Sequence, residues 1–157
     1  MAVLKIANNG YRNIESIQNV TSYVINPYKT CDLYGGQGVL INKPHLYMET
    51  VQNYYHSGGK MMQHFILAFG DFDCISFDEA YDLAYAVCEL FPDYQLVFGV
   101  HLDKDNKHIH WAMNPVNLRT GRKFNFTYGE SFALRKKIAK LLEPYEIGCS
   151  LRTKDNA

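Results

Sequence analysis

The chain has 157 residues, 47% apolar and 20% charged, which fits one globular domain and excludes wholesale disorder. No apolar run approaches the ~20 residues of a membrane span, and the N-terminus lacks a signal-peptide layout, so a cytoplasmic protein with no membrane partner is expected. Sixteen Lys and Arg balance sixteen Asp and Glu, and that zero total argues against a uniformly basic nucleic-acid binder.

The charge is nevertheless unevenly spread. Residues 71–89 carry six acids and no Lys or Arg, whereas residues 115–140 carry seven bases and Glu130 as the one acid. A neutral total can therefore hide one basic face. The four cysteines, Cys31, Cys74, Cys88 and Cys149, form no C-x-x-C pair and read as reduced, packed thiols.

In chain order, residues 3–7 alternate weakly and read as a short first strand. From Asn13, a plausible N-cap, the residues Ile14, Ile17, Val20, Val24 and Ile25 fall on one helical stripe. Asn26-Pro27 ends that helix, because proline disfavours a helical residue before it. Residues 28–43, with Gly35-Gly36 and Gly38, are expected to be loop. A helix is expected over 44–56 and a buried strand over 62–69. Ser76 caps the next helix, with Glu79 in capping-box position, and Pro92-Asp93 stops it.

Residues 95–101 and 107–113 read as two strands joined by a polar turn at 102–106. A short strand is expected over 123–126 and a last helix over 131–142. The whole is an α+β domain over residues 1–148, with a central, largely antiparallel sheet and flanking helices. Residues 149–157 are expected to be a poorly ordered tail.

The chemistry concentrates in that hairpin. Alternation along a strand puts His108 and His110 on one face and Ile109 on the other. On the preceding strand His101 shares its face with Val97 and Gly99, so pairing brings His101 opposite or nearly opposite His108. Three imidazoles then converge, and Gly99 is expected to leave room for a ligand. Three neutral nitrogen donors on rigid strands, with other positions open, describe a catalytic metal site. Imidazole suits Zn²⁺; open positions for phosphate oxygens and water suit Mn²⁺ or Mg²⁺, the expected ions.

At these residues the sequence resembles the relaxases, the mobilisation nucleases of conjugative and mobilisable elements, within the HUH endonuclease superfamily. His108-Ile109-His110 matches the family's His-hydrophobic-His motif, and His101 its third metal histidine, with Asp103 two residues on. The run from Asn114 through Asn117 and Gly121 to Lys123 resembles the stretch that follows this motif in relaxases of Gram-positive hosts. The strand beginning Gln63-His64-Phe65 resembles the middle motif, although Gly70-Asp71-Phe72-Asp73 lacks the Pro-Gly-Glu wording common after it. The resemblance implies an RRM-like core and Tyr23, late in the first helix, as nucleophile, with Tyr28 in reserve.

What the family resemblance implies is site-specific nicking of single-stranded origin-of-transfer DNA through a 5′-phosphotyrosyl intermediate, with Asp103 orienting an imidazole. Relaxosome accessory proteins and a secretion coupling protein are its implied partners. Helical geometry agrees with Tyr23, which lies away from the apolar stripe. Phenol attack on a phosphodiester calls for a nearby cation or base. His64 can face either the site or the core. DNA grip is assigned to Arg119, Arg122, Lys123, Arg135 and Lys136, with Phe124 and Phe126 available for stacking; Trp111, of opposite parity to His110, is expected in the core. Two alternatives stay open: a rolling-circle replication initiator using Tyr128, and a non-catalytic single-stranded DNA-binding module.

Overall fold

The computed structural model describes residues 1–7, 10–102 and 105–151. Five strands, β1 (Val3–Ala7), β2 (Tyr34–Gln37), β3 (Gln63–Ala68), β4 (Leu96–His101) and β5 (His108–Met113), form one antiparallel sheet in the order β1-β3-β5-β4-β2. The helices are α1 (Glu15–Val24), the one-turn α2 (Pro27–Thr30), α3 (Pro44–Tyr54), α4 (Phe77–Cys88) and α5 (Tyr128–Leu142). The α+β architecture expected from the sequence is the one observed.

Strand alternation divides the sheet into two unlike faces. On one, Leu4, Phe65, Leu67, Phe98, Ile109 and Trp111 join α4 and α5 in the larger apolar core. Trp111 is fully buried there and donates its indole N–H to the Ala84 carbonyl at 3.1 Å. On the other, Val97 and Ala112 pack with Ile17, Val20, Val24 and Met48 of α1 and α3 in a smaller core that covers only part of the sheet. Burying a methylene contributes roughly 0.8 kcal/mol, so the α4/α5 side dominates stability and the α1 side is spared for chemistry.

Helix boundaries follow local rules. Ser76 and Glu79 form the expected capping box on α4. Thr127 accepts from the Glu130 N–H, which starts α5 three residues earlier than apolar periodicity alone indicates. Ile14 is nearly half exposed at the edge of α1, so the buried stripe of that helix is Ile17, Val20, Thr21 and Val24.

Two expected irregular or extended segments differ. Residues 34–37 form an edge strand, because Gly35 lets the Tyr85 hydroxyl and the Phe98 ring press against the backbone, where a Cβ would lie 2.6 and 2.8 Å from them. Around residues 123–126 there is only an isolated bridge from Lys123 to Val116. Cys149 pairs with Ala2, and the Ser150 N–H donates to the Ala2 carbonyl, so this part of the expected tail is tied to the start of β1. Residues 152–157 lie outside the described residues.

The junction after α1 positions everything that follows. Pro27 has no N–H to offer the Tyr23 carbonyl, and the Tyr28 N–H is captured by the Asn26 side chain at 2.9 Å. The Val24 carbonyl therefore has no helical donor, and accepts a hydrogen bond from His101 Nε2 at 3.0 Å instead. Gly99 permits this contact: a Cβ there would overlap the Val24 carbonyl and lie 2.8 Å from Thr30 Cγ2. The space expected to admit a ligand is filled by the helix end. Gly99→Ala should cost about 1–3 kcal/mol by displacing that end, read as a lower denaturation midpoint in urea. Unchanged stability would contradict the close approach.

Candidate active site

His101 lies directly opposite His108, and His110 opposite Gly99 in β4 and Ile66 in β3. One ligand nitrogen from each of His101, His108 and His110 lies within 4.8 Å of the others. The His101 and His110 rings stack with centroids 3.9 Å apart, and His108 stands 5.3 Å from the first and 5.0 Å from the second. The three rings that sequence parity placed on one face are brought together there.

Each ring is held by its outer nitrogen. His101 Nε2 donates to the Val24 carbonyl, and His108 Nδ1 donates to the Asn106 carbonyl at 3.2 Å. These carbonyls fix both tautomers and turn lone pairs on His101 Nδ1 and His108 Nε2 inward. His110 Nδ1 lies 2.9 Å from His64 Nε2, and His64 Nδ1 lies 3.2 Å from the Tyr11 hydroxyl. His64, ambiguous from sequence, thus belongs to the site face.

Burial keeps His64 and His110 neutral. The His64 imidazolium is disfavoured first by burial and then by His101, so its pKa falls to about 4. His110 is depressed well below the ordinary imidazole range, mainly by burial, with His101, His64, His108 and Lys29 adding repulsion. Neutral imidazoles are the form that ligates a metal. Three imidazoles on rigid strands, two of them with lone pairs turned inward, fit a divalent cation with open positions.

Tyr23 completes the arrangement. Its ring, 42% exposed, packs edge-on against His110 at 5.4 Å and tilted against His101 at 5.3 Å. The Lys29 ammonium sits 5.5 Å from the centre of the same ring. Beside them opens a cleft of about 360 Å³ lined by Tyr11, Asn19, Tyr23, His64, Ile66 and His110, among others. Tyr28, 94% exposed, makes no ring contact with the histidines among the described residues. Asp103 lies outside the described residues.

The expected DNA contacts divide. Arg119, Arg122 and Lys136 are exposed, the first 3.9 Å from Asp93. Lys123 is partly buried and donates to the Gly58 carbonyl. Arg135 is a correction: it is fully buried and donates from Nη2 to the Leu4 carbonyl at 3.2 Å, tying α5 to β1. Its place on the apolar stripe with Leu134, Ile138 and Leu142 removes it from any DNA surface. Phe124 and Phe126 are likewise committed, packing edge-on against each other at 4.8 Å and against Phe91 and Phe65.

Sequence reading missed Arg12 and Lys60. Arg12 lowers the pKa of both Lys60 and Lys123 through charge repulsion, after burial as the larger cause, so the three cations form one cluster. No linear run announces them, since they come from three separate segments.

A five-stranded antiparallel sheet with flanking helices, carrying three convergent imidazoles and a phenol beside them, is the architecture of the HUH endonucleases. The family model for relaxases, described as the MobA/VirD2-like nuclease domain, matches residues 23–147, and the chain belongs to that family. It is similar to Protein rlx of Staphylococcus aureus, 35% identical over 68 residues, which span 43% of this chain. The match spans about a fifth (21%) of that relative's length. The fold is that of a solved structure from work on the molecular basis of vancomycin resistance transfer in Staphylococcus aureus. The two superpose with a TM-score of 0.71 at 12% identity, covering 98% of this chain and 99% of the other.

The buried histidines set a pH dependence. An unfolded histidine titrates near 6.5, and His64 and His110 titrate lower when folded, so their stabilisation is complete above that value. Below it the unfolded state binds more protons and stability falls, for His64 alone by about 2 kcal/mol at pH 5. In chelator, the thermal midpoint should drop between pH 7 and pH 5. A flat profile would mean that these rings accept protons in the fold.

Proposed function

We propose that this relaxase domain nicks one strand of single-stranded origin-of-transfer DNA by attack of Tyr23, in the cytoplasm, to start mobilisation of a plasmid or related element. The observation that carries the reading is Tyr23 packed against His101 and His110, with Lys29 over its ring. His101, His108 and His110 would hold Mn²⁺ or Mg²⁺, with Zn²⁺ the alternative. When bound, such an ion supplies Lewis-acid polarisation of the scissile phosphate.

The chain's own residues do the remainder. The Tyr23 oxygen–phosphorus bond forms as the bond from phosphorus to the 3′ oxygen breaks, giving a 5′-phosphotyrosyl link and a 3′-hydroxyl. The phenol gives up one proton and the departing 3′ oxygen takes one up. One ester replaces another, so the step is reversible and needs no nucleotide cofactor. Lys29 offers a cation to the charge that develops on the scissile phosphate. Arg12, Lys60 and Lys123 together, with Arg119 and Arg122, offer cations to the DNA backbone, while Lys136 projects from α5 on the far side of the sheet. Relaxosome proteins and a secretion coupling protein are the partners this role requires.

The initiator alternative loses support from Tyr128, which opens α5 and stacks on Phe132 in the opposite layer. Single-stranded oligonucleotides tiling the element's origin, incubated with Mn²⁺, should yield a covalent protein–DNA adduct on denaturing gels. Tyr23→Phe should abolish it and Tyr128→Phe should leave it intact. The opposite pattern would favour the initiator, and binding without adduct under Mn²⁺, Mg²⁺ or Zn²⁺ would leave only a binding module.

A further inference from the structure

His110 is the one triad ring whose outer nitrogen meets another imidazole instead of a carbonyl. A carbonyl only accepts, so it dictates the tautomer of its partner; an imidazole does not. The direction of the His64–His110 hydrogen bond has to be set one step further out, where the Tyr11 hydroxyl meets His64 Nδ1. Two directions are possible. If the phenol donates inward, His64 Nε2–H donates to His110 Nδ1, and the His110 proton sits on Nε2, aimed at the other two ligand nitrogens. If the phenol accepts, His64 Nδ1–H donates to it, His110 Nδ1–H donates to His64 Nε2, and His110 Nε2 presents a lone pair. Only the second can ligate a cation.

We infer that Tyr11 and His64 are positioning residues that fix His110 as the Nδ1–H tautomer, and so make it a ligand. The inference rests on the metal-site reading above. Three observations on these residues support it. His64 is buried to 7% exposure and His110 to 4%, so water cannot substitute freely for the missing partner. His110 Nε2 is buried and has no hydrogen-bond partner among the described residues, as a nitrogen reserved for a cation would. Tyr11 adopts a left-handed backbone (φ 45°), a conformation costly for a bulky residue. Its carbonyl is held there by the Met61 N–H at 2.7 Å. That strained turn delivers the phenol to His64.

Ligand partners of this kind change metal affinity about 10–100-fold. Titration of the full chain with Mn²⁺ alone, followed by calorimetry, should show that loss in His64→Leu. His64→Gln, whose amide oxygen can accept from His110 Nδ1–H, should recover most of it. Tyr11→Phe, which removes one oxygen and leaves the ring, should give a smaller loss in the same direction. Imidazole ¹⁵N shifts of the metal-free parent should report the proton of His110 on Nδ1.

Parent affinity retained in His64→Leu, equal weakness in the Gln and Leu variants, or a His110 proton on Nε2 would each overturn the inference. If His64→Leu fails to fold, the Tyr11→Phe titration and the parent spectrum still decide. A parent that binds no Mn²⁺ sinks the metal centre itself, whereas a parent that binds it but forms no Tyr23 adduct sinks the nicking reading and leaves this one standing.

Discussion

One hydrogen bond, from His101 Nε2 to the Val24 carbonyl, holds the site together. It exists because a proline and an asparagine side chain leave that helix-terminal carbonyl without a donor, and because Gly99 has no Cβ to keep it away. The contact does two things at once. It anchors the C-terminal end of α1 on β4, one residue from the phenol of Tyr23, and it sets which nitrogen of His101 carries the proton. The distance between the Tyr23 phenol and the imidazoles is thus not an independent property of either element.

Much of this was legible in the residues themselves. Parity along residues 101–110 placed three imidazoles on one face because a strand has only two faces and a short polar turn leaves little freedom of register. Ser76 with Glu79 fixed a helix start for the same local reason. What was not legible depended on partners far away in the chain. Gly35-Gly36 read as loop because glycine favours turns, yet the Tyr85 and Phe98 rings require a strand without side chains there. Gly99 was understood as space, and only the fold reveals that Val24 occupies it. Arg135 looked like a DNA contact in a basic run, but helical phase puts it with Leu134 and Ile138 on the buried side.

The zero net charge has a similar resolution. The basic segment at 115–140 suggested a single cationic stretch, but the fold distributes it: Arg135 goes inside, Lys136 to the far side of the sheet, and Lys123 to the end of α3. The cluster it joins is completed by Arg12 and Lys60, brought from two earlier segments of the chain. Composition averages over such a surface and sequence windows cut across it, so neither can find it.

Burial of the histidines carries a further consequence for how the fold and the chemistry depend on each other. At the proposed metal site protons would compete with a divalent cation for the same lone pairs, and an exposed imidazole would be partly protonated near neutrality. Sinking His110 and His64 under α1 removes that competition at the cost of desolvating polar nitrogens, each of which then needs a partner. The Tyr11 oxygen answers that need for His64 from a strained loop, as the Val24 and Asn106 carbonyls do for His101 and His108 from a helix end and a turn. Val24 and Tyr11 both pack in the smaller, α1-side core, so loosening that core would release two of these three oxygens. The chemistry therefore leans on the smaller of the two apolar cores, where packing on Val97 and Ala112 joins the His101–Val24 hydrogen bond in setting α1 over the sheet.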